Sequence, residues 1–218
     1  MSARVDDGQP LRLVDVRIGL PGRVLIERLS FSVEAGRIVT VMGPSGSGKS
    51  ALLSWIGGFL AAPFEARGEV YLGGRALNDV PAHARRVGIL FQDDLLFPHL
   101  SVAGNLLFGL PPTIGGRRER FEAVERALDE AGLAGFGARD PATLSGGQRA
   151  RVALLRTLLA QPQALLLDEP FGKLDAALRA DFRRFVFDFA QRACLPTVLV
   201  THDAADAEAT GGPVIELG

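Results

Sequence analysis

The sequence predicts an α/β fold: a parallel αβα core, an antiparallel β lobe and an inserted α-helical lobe. Three observations carry this. Short continuous apolar runs, IVTVM at 38–42, ALLLD at 164–168 and TVLVT at 197–201, are separated by helix-length segments, as strands buried on both faces of a parallel sheet are. Residues 11–34 instead alternate apolar and polar side chains, the period of half-buried strands. From about 93 to 160 the strand signal gives way to apolar residues spaced by three and four.

In chain order, LRLVDVRIG (11–19) and VLIERLSFSVE (24–34) read as an antiparallel pair turned by Pro21 and Gly22. IVTVM comes next, then a glycine-rich turn and a helix, ALLSWIGGFL. EVYLGGRALN at 69–78 reads as a hairpin and VGILFQ at 87–92 as another buried strand. Ser101 is placed to cap a helix through Leu110, and Phe121, Val124, Leu128 and Ala131 fall on one face of a charged helix. ALLLD, a helix from about Asp175 to Ala193, TVLVT and a last strand near PVIEL complete the chain. The expected division is one domain over 1–218, with 11–92 and 161–218 forming the core with its β lobe and 93–160 the helical lobe.

Composition narrows the function. A length of 218 residues with 47% hydrophobic side chains suffices for a sizeable core. A net charge of −1, with basic residues dispersed along the chain, gives no electrostatic footprint for nucleic acid. Cys194 is the only cysteine, so no intrachain disulfide forms, and the acidic start MSARVDDGQP is unlike a secretory leader; both place the chain in the cytosol. The longest mostly apolar run, Ala51 to Phe64, is about 14 residues and contains Gly57, Gly58 and Pro63, short of the roughly 20 that a membrane helix needs. Membrane contact must therefore go through a partner.

GPSGSGKS, Gly43 to Ser50, matches the phosphate-loop pattern G-x-x-x-x-G-K-[ST] between a strand and a helix, the context that the pattern requires. Its glycines let backbone N–H groups converge on phosphate oxygens at a helix N-terminus. Lys49 reaches the β and γ phosphates and Ser50 binds magnesium. Lys49 and Lys173 are the only lysines in an arginine-rich chain, which suits a point-charge ammonium in a tight cradle. Taken alone, ALLLDEP reads as readily as a buried strand ending in acids. After a phosphate loop, Asp168 becomes the metal-side carboxylate and Glu169 the base that polarises an attacking water. LSGGQRAR is either a glycine turn before a helix or, through Ser145 and two glycines at a helix N-terminus, a second anion site. Two phosphate sites with one magnesium carboxylate set suggest a composite site.

LSGGQ lying between a phosphate loop and LLLDEP resembles the signature of ABC (ATP-binding cassette) transporter ATPases, and the likeness covers nearly the whole chain. It implies a P-loop NTPase with a RecA-like core and a head-to-tail homodimer that sandwiches two ATP molecules. The phosphate loop of one chain, Gly43, Ser45, Gly46, Ser47, Gly48, Lys49, Ser50 and Ala51, would face Ser145, Gly146, Gly147 and Gln148 of the other. Glu169 would be the base and His202, in VTHD, the switch histidine. Gln92, in ILFQ, would be the Q-loop glutamine, sharing Mg²⁺ with Ser50 and Asp168. Leu174 and Asp175 are similar to the D-loop.

The stretch FQDDLLFPHLSVAGNLLFGL (91–110) resembles importer ATPases for maltose, sulfate, polyamines, ferric ion and thiamine, so Phe97, Pro98, His99, Leu100 and Val102 are expected to line the groove for a permease helix; otherwise they are lobe core. By size and by DPATLSGGQRARVALLR the chain looks most like short subunits of thiamine-type or uncharacterised importers, at the cytoplasmic face of the inner membrane, with a solute-binding protein as an indirect partner. Three positions depart from the family. Leu20, Pro21 and Gly22 stand where an adenine-stacking aromatic is usual, Ala51 replaces a hydroxyl residue, and Gly172 replaces the D-loop serine beside Lys173. The short run beyond His202 leaves no room for the C-terminal barrel of maltose-type ATPases. An exporter motor is the nearest alternative. A soluble ABC ATPase of translation or DNA repair should show tandem cassettes, a coiled coil or a basic arm, and a phosphotransferase has no use for LSGGQ.

Overall fold

The computed structural model describes residues 9–172, 174 and 176–218. Nine strands and six helices alternate along them, in two sheets. β1 (Leu11–Leu20) and β2 (Arg23–Val33) form the antiparallel pair expected from their alternation, turned at Pro21 and Gly22, and β4 (Glu65–Leu72) joins the free side of β1. The two-residue β5 (Arg75–Ala76) closes the hairpin over Gly73 and Gly74, so this sheet runs β2-β1-β4-β5.

The second sheet runs β6-β7-β8-β3-β9, built from β3 (Ile38–Met42), β6 (Val87–Leu90), β7 (Ala164–Asp168), β8 (Thr197–Val200) and β9 (Val214–Glu216). Its β3, β7, β8 and β9 pair in parallel, and every residue of β8 and all but the last of β3 and β7 are buried, which is why these strands read as unbroken apolar runs. Register aligns the strand ends. Val41 and Asp168 both pair with Val200, so the chain leaves β3, β7 and β8 at one edge of the sheet.

Six helices complete the chain: α1 (Lys49–Gly57), α2 (Val102–Gly109), α3 (Arg117–Glu130), α4 (Gly146–Leu159), α5 (Ala176–Arg192) and α6 (Ala204–Thr210). The described residues gather into two units, one formed by those up to Ile89 with Gln163–Glu169 and Phe187–Gly218, the other by Leu90–Pro162 and Pro170–Val186. In the first unit both sheets share one core, which holds Leu13, Ile18 and Val70 together with Val41, Leu166 and Val198 and with Leu52 and Ile56 of α1. In the second unit α2, α3 and α4 pack through Val102, Leu106, Val124, Leu128, Val152 and Leu155. No helix among the described residues is long and apolar enough to cross a membrane.

The structure differs from the sequence reading in four places. β6 ends at Leu90, so Gln92 lies in the loop beyond it. β4 begins at Glu65, ahead of the expected 69. α6 carries no signal in the pattern, because its apolar positions are all alanine; its start is fixed by Asp203, whose Oδ1 accepts a hydrogen bond from the Ala205 N–H at 2.9 Å. Phe121 does not join Val124, Leu128 and Ala131 in the core. It stays 39% exposed with the Arg117 guanidinium 5.8 Å from its ring centroid. Leu128→Ala should therefore cost about 2–5 kcal/mol by chemical denaturation, whereas Phe121→Ala should cost less than about 1 kcal/mol. Equal losses would contradict this packing.

Candidate functional site

Six residues, Gly43 to Gly48, turn β3 into α1. The turn needs glycine at both ends. At Gly43 (φ 153°) a Cβ would sit 2.5 Å from the Leu217 carbonyl oxygen, and at Gly48 (φ 97°) it would press on Leu25 and Ile26 of β2. Lys49, the first residue of α1, is 7% exposed, and its ammonium donates to the carbonyls of Gly43 at 2.7 Å and Pro44 at 2.9 Å. An ammonium has three N–H groups, so the third remains for an anion above the loop. Within the loop the Ser47 Oγ is buried without a hydrogen-bond partner, a costly arrangement unless a ligand oxygen meets it.

Asp168 ends β7, and its Oδ1 accepts from the Ser50 Oγ at 3.2 Å. Burial pushes the Asp168 carboxyl above its ordinary range; the Ser50 hydrogen bond and the Lys49 charge pull the other way, and the neighbouring Glu169 adds to the rise. A hydroxyl beside a carboxylate is a hard-oxygen pair suited to Mg²⁺. No group of three or more His, Cys, Asp or Glu among the described residues could hold a metal ion, so a cation here would draw its other ligands from neutral oxygens, phosphate and water.

Glu169 is next in the chain at φ 45°, a conformation that costs a non-glycine residue of order 1 kcal/mol or more. Its N–H donates to Val200 O at 2.9 Å, which locks the turn. Its Oε1 lies 3.1 Å from His202 Nδ1. His202 sits between β8 and α6, where the Thr201 hydroxyl accepts from the Asp203 N–H at 3.0 Å and donates to the buried Asp206 at 3.3 Å. Lys49, Ser50, Asp168, Glu169 and His202 thus converge at the edge set by the strand register.

The cavity over the loop, about 350 Å³, is lined by Ser45, Lys49, Ser50 and Glu169 and also by Leu20, Arg23, Leu25 and Phe64. Leu20 is where the sequence places the missing aromatic. Arg23 and Phe64 escaped sequence reading, since nothing in their local pattern marks them. Arg85 escaped it too: its guanidinium, 7% exposed, donates to the carbonyls of Trp55 and Ile56 in the last turn of α1 and to those of Asn78 and Val80. A cation there satisfies helix-end carbonyls and anchors the far end of the phosphate helix; burial lowers its pKa.

The remaining candidates belong to the second unit. Ser145 caps α4 through a reciprocal pair, its Oγ accepting from the Gln148 N–H at 3.3 Å and the Gln148 Oε1 accepting from the Ser145 N–H at 3.0 Å. SGGQ thus spells a capping box as well as an anion motif. Ser145 is exposed, whereas Gly147 is buried and a Cβ on it would touch Leu178 at 3.4 Å. Gln92 and His99 are exposed in the loop before α2. Gly172 is exposed and Leu174 buried; Lys173 and Asp175 lie outside the described residues.

The ABC transporter family model matches residues 26–172. The chain is 53% identical over 195 residues to the uncharacterized ABC transporter ATP-binding protein YnjD of Escherichia coli (strain K12), covering 89% of each. It is 44% identical over 202 residues to the Fe(3+) ions import ATP-binding protein FbpC of Pseudomonas fluorescens, and 41% identical over 201 residues to that of Rhizobium etli. The matches cover 90% and 92% of this chain but span about half of those two relatives, 55% and 56%.

The Asp168 environment gives a pH test. With its pKa raised on folding, the stability that the protonated carboxyl contributes is full at low pH and is lost as pH rises through the raised value. Asp168→Asn removes that loss and keeps an acceptor for Ser50. The variant should melt about 1–4 °C above the natural protein at pH 8, with the gap closing toward pH 4. Equal melting at pH 8 would contradict the assigned cause.

Proposed function

This chain belongs to the ABC transporter ATP-binding family and is an ATPase, and from that premise we propose that it is the motor subunit of an importer, working as a head-to-tail homodimer beneath a membrane permease. The observation that carries the site assignment is the convergence of Lys49, Ser50, Asp168, Glu169 and His202 at one edge of the parallel sheet. The import direction draws support from the likeness to ferric-ion import ATPases and from the 91–110 stretch. A solute-binding protein is then the indirect partner, and the chain works as a peripheral subunit at the cytoplasmic face of the inner membrane.

The roles are those that the family resemblance implies, and the geometry within the first unit supports them. Gly43, Ser45, Gly46, Ser47, Gly48 and Ala51 present loop and helix N–H groups to the phosphates, and the Ser47 hydroxyl gains a partner there. Lys49 can meet the γ-phosphate through its third N–H while keeping both backbone bonds. Ser50 and Asp168 would hold Mg²⁺, with Gln92 as third protein ligand, and bound Mg²⁺ would neutralise charge developing on the phosphate oxygens. Glu169, held aside by its left-handed backbone and by His202, accepts the proton of the attacking water, and His202 then contacts the transferred phosphate. Ser145, Gly146, Gly147 and Gln148 of a second copy close over the γ-phosphate, and Asp175 takes the D-loop role that the family resemblance implies. Phe97, Pro98, His99 and Leu100 face the permease, whereas Val102, expected beside them, is fully buried in the lobe core and takes no part; closure of the dimer is the step passed to the permease.

Glu169→Gln should bind ATP normally, hydrolyse it at least about 100-fold more slowly because an amide cannot act as base, and elute as a dimer in gel filtration with ATP. Near-normal turnover would remove Glu169 from this role.

A further inference from the structure

Residues 94–101 join β6 to α2 with no helix or strand of their own, yet two side chains pin their backbone. Asn105, in the first turn of α2, is fully buried and turns both ends of its amide to this segment. Its Oδ1 accepts from the Phe97 N–H at 2.8 Å, and its Nδ2 donates to the carbonyls of Phe97 at 3.1 Å, Ser101 at 3.1 Å and Leu100 at 3.3 Å. Arg156, near the end of α4, donates to Leu95 O at 2.9 Å, with longer contacts of 3.4 Å to Asp94 O and to Asn105 Oδ1, and its guanidinium lies 5.2 Å from the Phe97 ring centroid.

The segment so held presents apolar surface. Leu95 is 57% and Phe108 69% exposed, and Phe97 meets Phe108 edge-on at 4.7 Å. The lobe core, through Val102, Leu106, Val152 and Leu155, closes without any contribution from the hydrogen-bonding groups of Asn105. A buried amide devoted to loop carbonyls therefore serves the shape of the loop.

We infer that Asn105 and Arg156 are positioning residues for partner recognition: they fix 94–101 in the form that receives an amphipathic helix of the membrane subunit. This rests on the reading of 97–100 as permease surface. Because α4 starts at Gly146 and Gly147, the grip of Arg156 near one end, and the Arg149–Asp94 ion pair of 3.2 Å near the other, mount this loop on the helix that carries the signature glycines. A shift of α4 on dimer closure would then be felt by the docked helix directly.

The test compares the natural chain with Asn105→Leu and Arg156→Lys, each tagged and expressed in its own cells. Hydrogen exchange of the Phe97 amide and basal MgATP hydrolysis are measured on the purified proteins, and recovery with gently washed membranes is measured in the cells. Asn105→Leu should exchange the Phe97 amide at least about tenfold faster, hydrolyse ATP within about twofold of the natural rate, and lose at least about tenfold in membrane recovery. Arg156→Lys, which keeps the charge but not the fork, should fall between. Unchanged exchange, or unchanged recovery despite faster exchange, overturns the inference. So does loss of basal hydrolysis in both variants, which would mark a purely structural role. If the natural chain itself is absent from membranes, the motor reading fails with the inference, and that outcome is recognised because no substitution is needed to produce it.

Discussion

Turning a buried parallel strand into a buried helix within six residues is the constraint on which the rest of this structure depends. Gly43 leaves no room for a side chain against Leu217, Gly48 none against β2, and between them the Ser47 N–H donates to Pro44 O at 3.3 Å. Lys49 is drawn into the loop by two carbonyls and so is a structural tie whose third N–H remains for an anion. The turn is held from below by the shared core of the two sheets, and α1 is held at its far end by the Arg85 guanidinium. A six-residue turn therefore recruits the β lobe, the parallel sheet and a buried cation to keep one geometry.

Much of this is legible in the sequence because the constraint falls on local pattern. IVTVM, ALLLD and TVLV are buried on both faces and contain almost nothing polar, so their strands are plain. The phosphate loop is spelled by residue types that physics requires. Alternation marks β1 and β2, and the Ser101 cap stands where a hydroxyl precedes an apolar run. Phe121 departs from expectation because helical periodicity marks a face without saying how wide the buried stripe is; Val124 and Leu128 fill it and the first turn of α3 projects past it. Arg85, Arg23, Phe64 and Asn105 are invisible to pattern because their partners are backbone groups and cavity walls that no local spacing encodes. The capping box in SGGQ shows one string serving two ends. The residues that start α4 are also the ones a second copy would present to ATP.

The division into units carries the functional logic. Residues 43–50, Asp168, Glu169 and His202 lie in the first unit, and residues 145–148 and 94–101 in the second. In the proposed dimer each copy would lend one half-site to the other, so that hydrolysis, dimer closure and partner movement would become one event. The most direct measurement mixes two inactive variants, Lys49→Ala and Ser145→Arg, in equal amounts. A heterodimer of the two retains one site with both halves intact, so the mixture should recover about a quarter of the natural ATPase rate, while each variant alone stays near background. No recovery on mixing, or full hydrolysis by Ser145→Arg alone, would contradict a site shared between two copies.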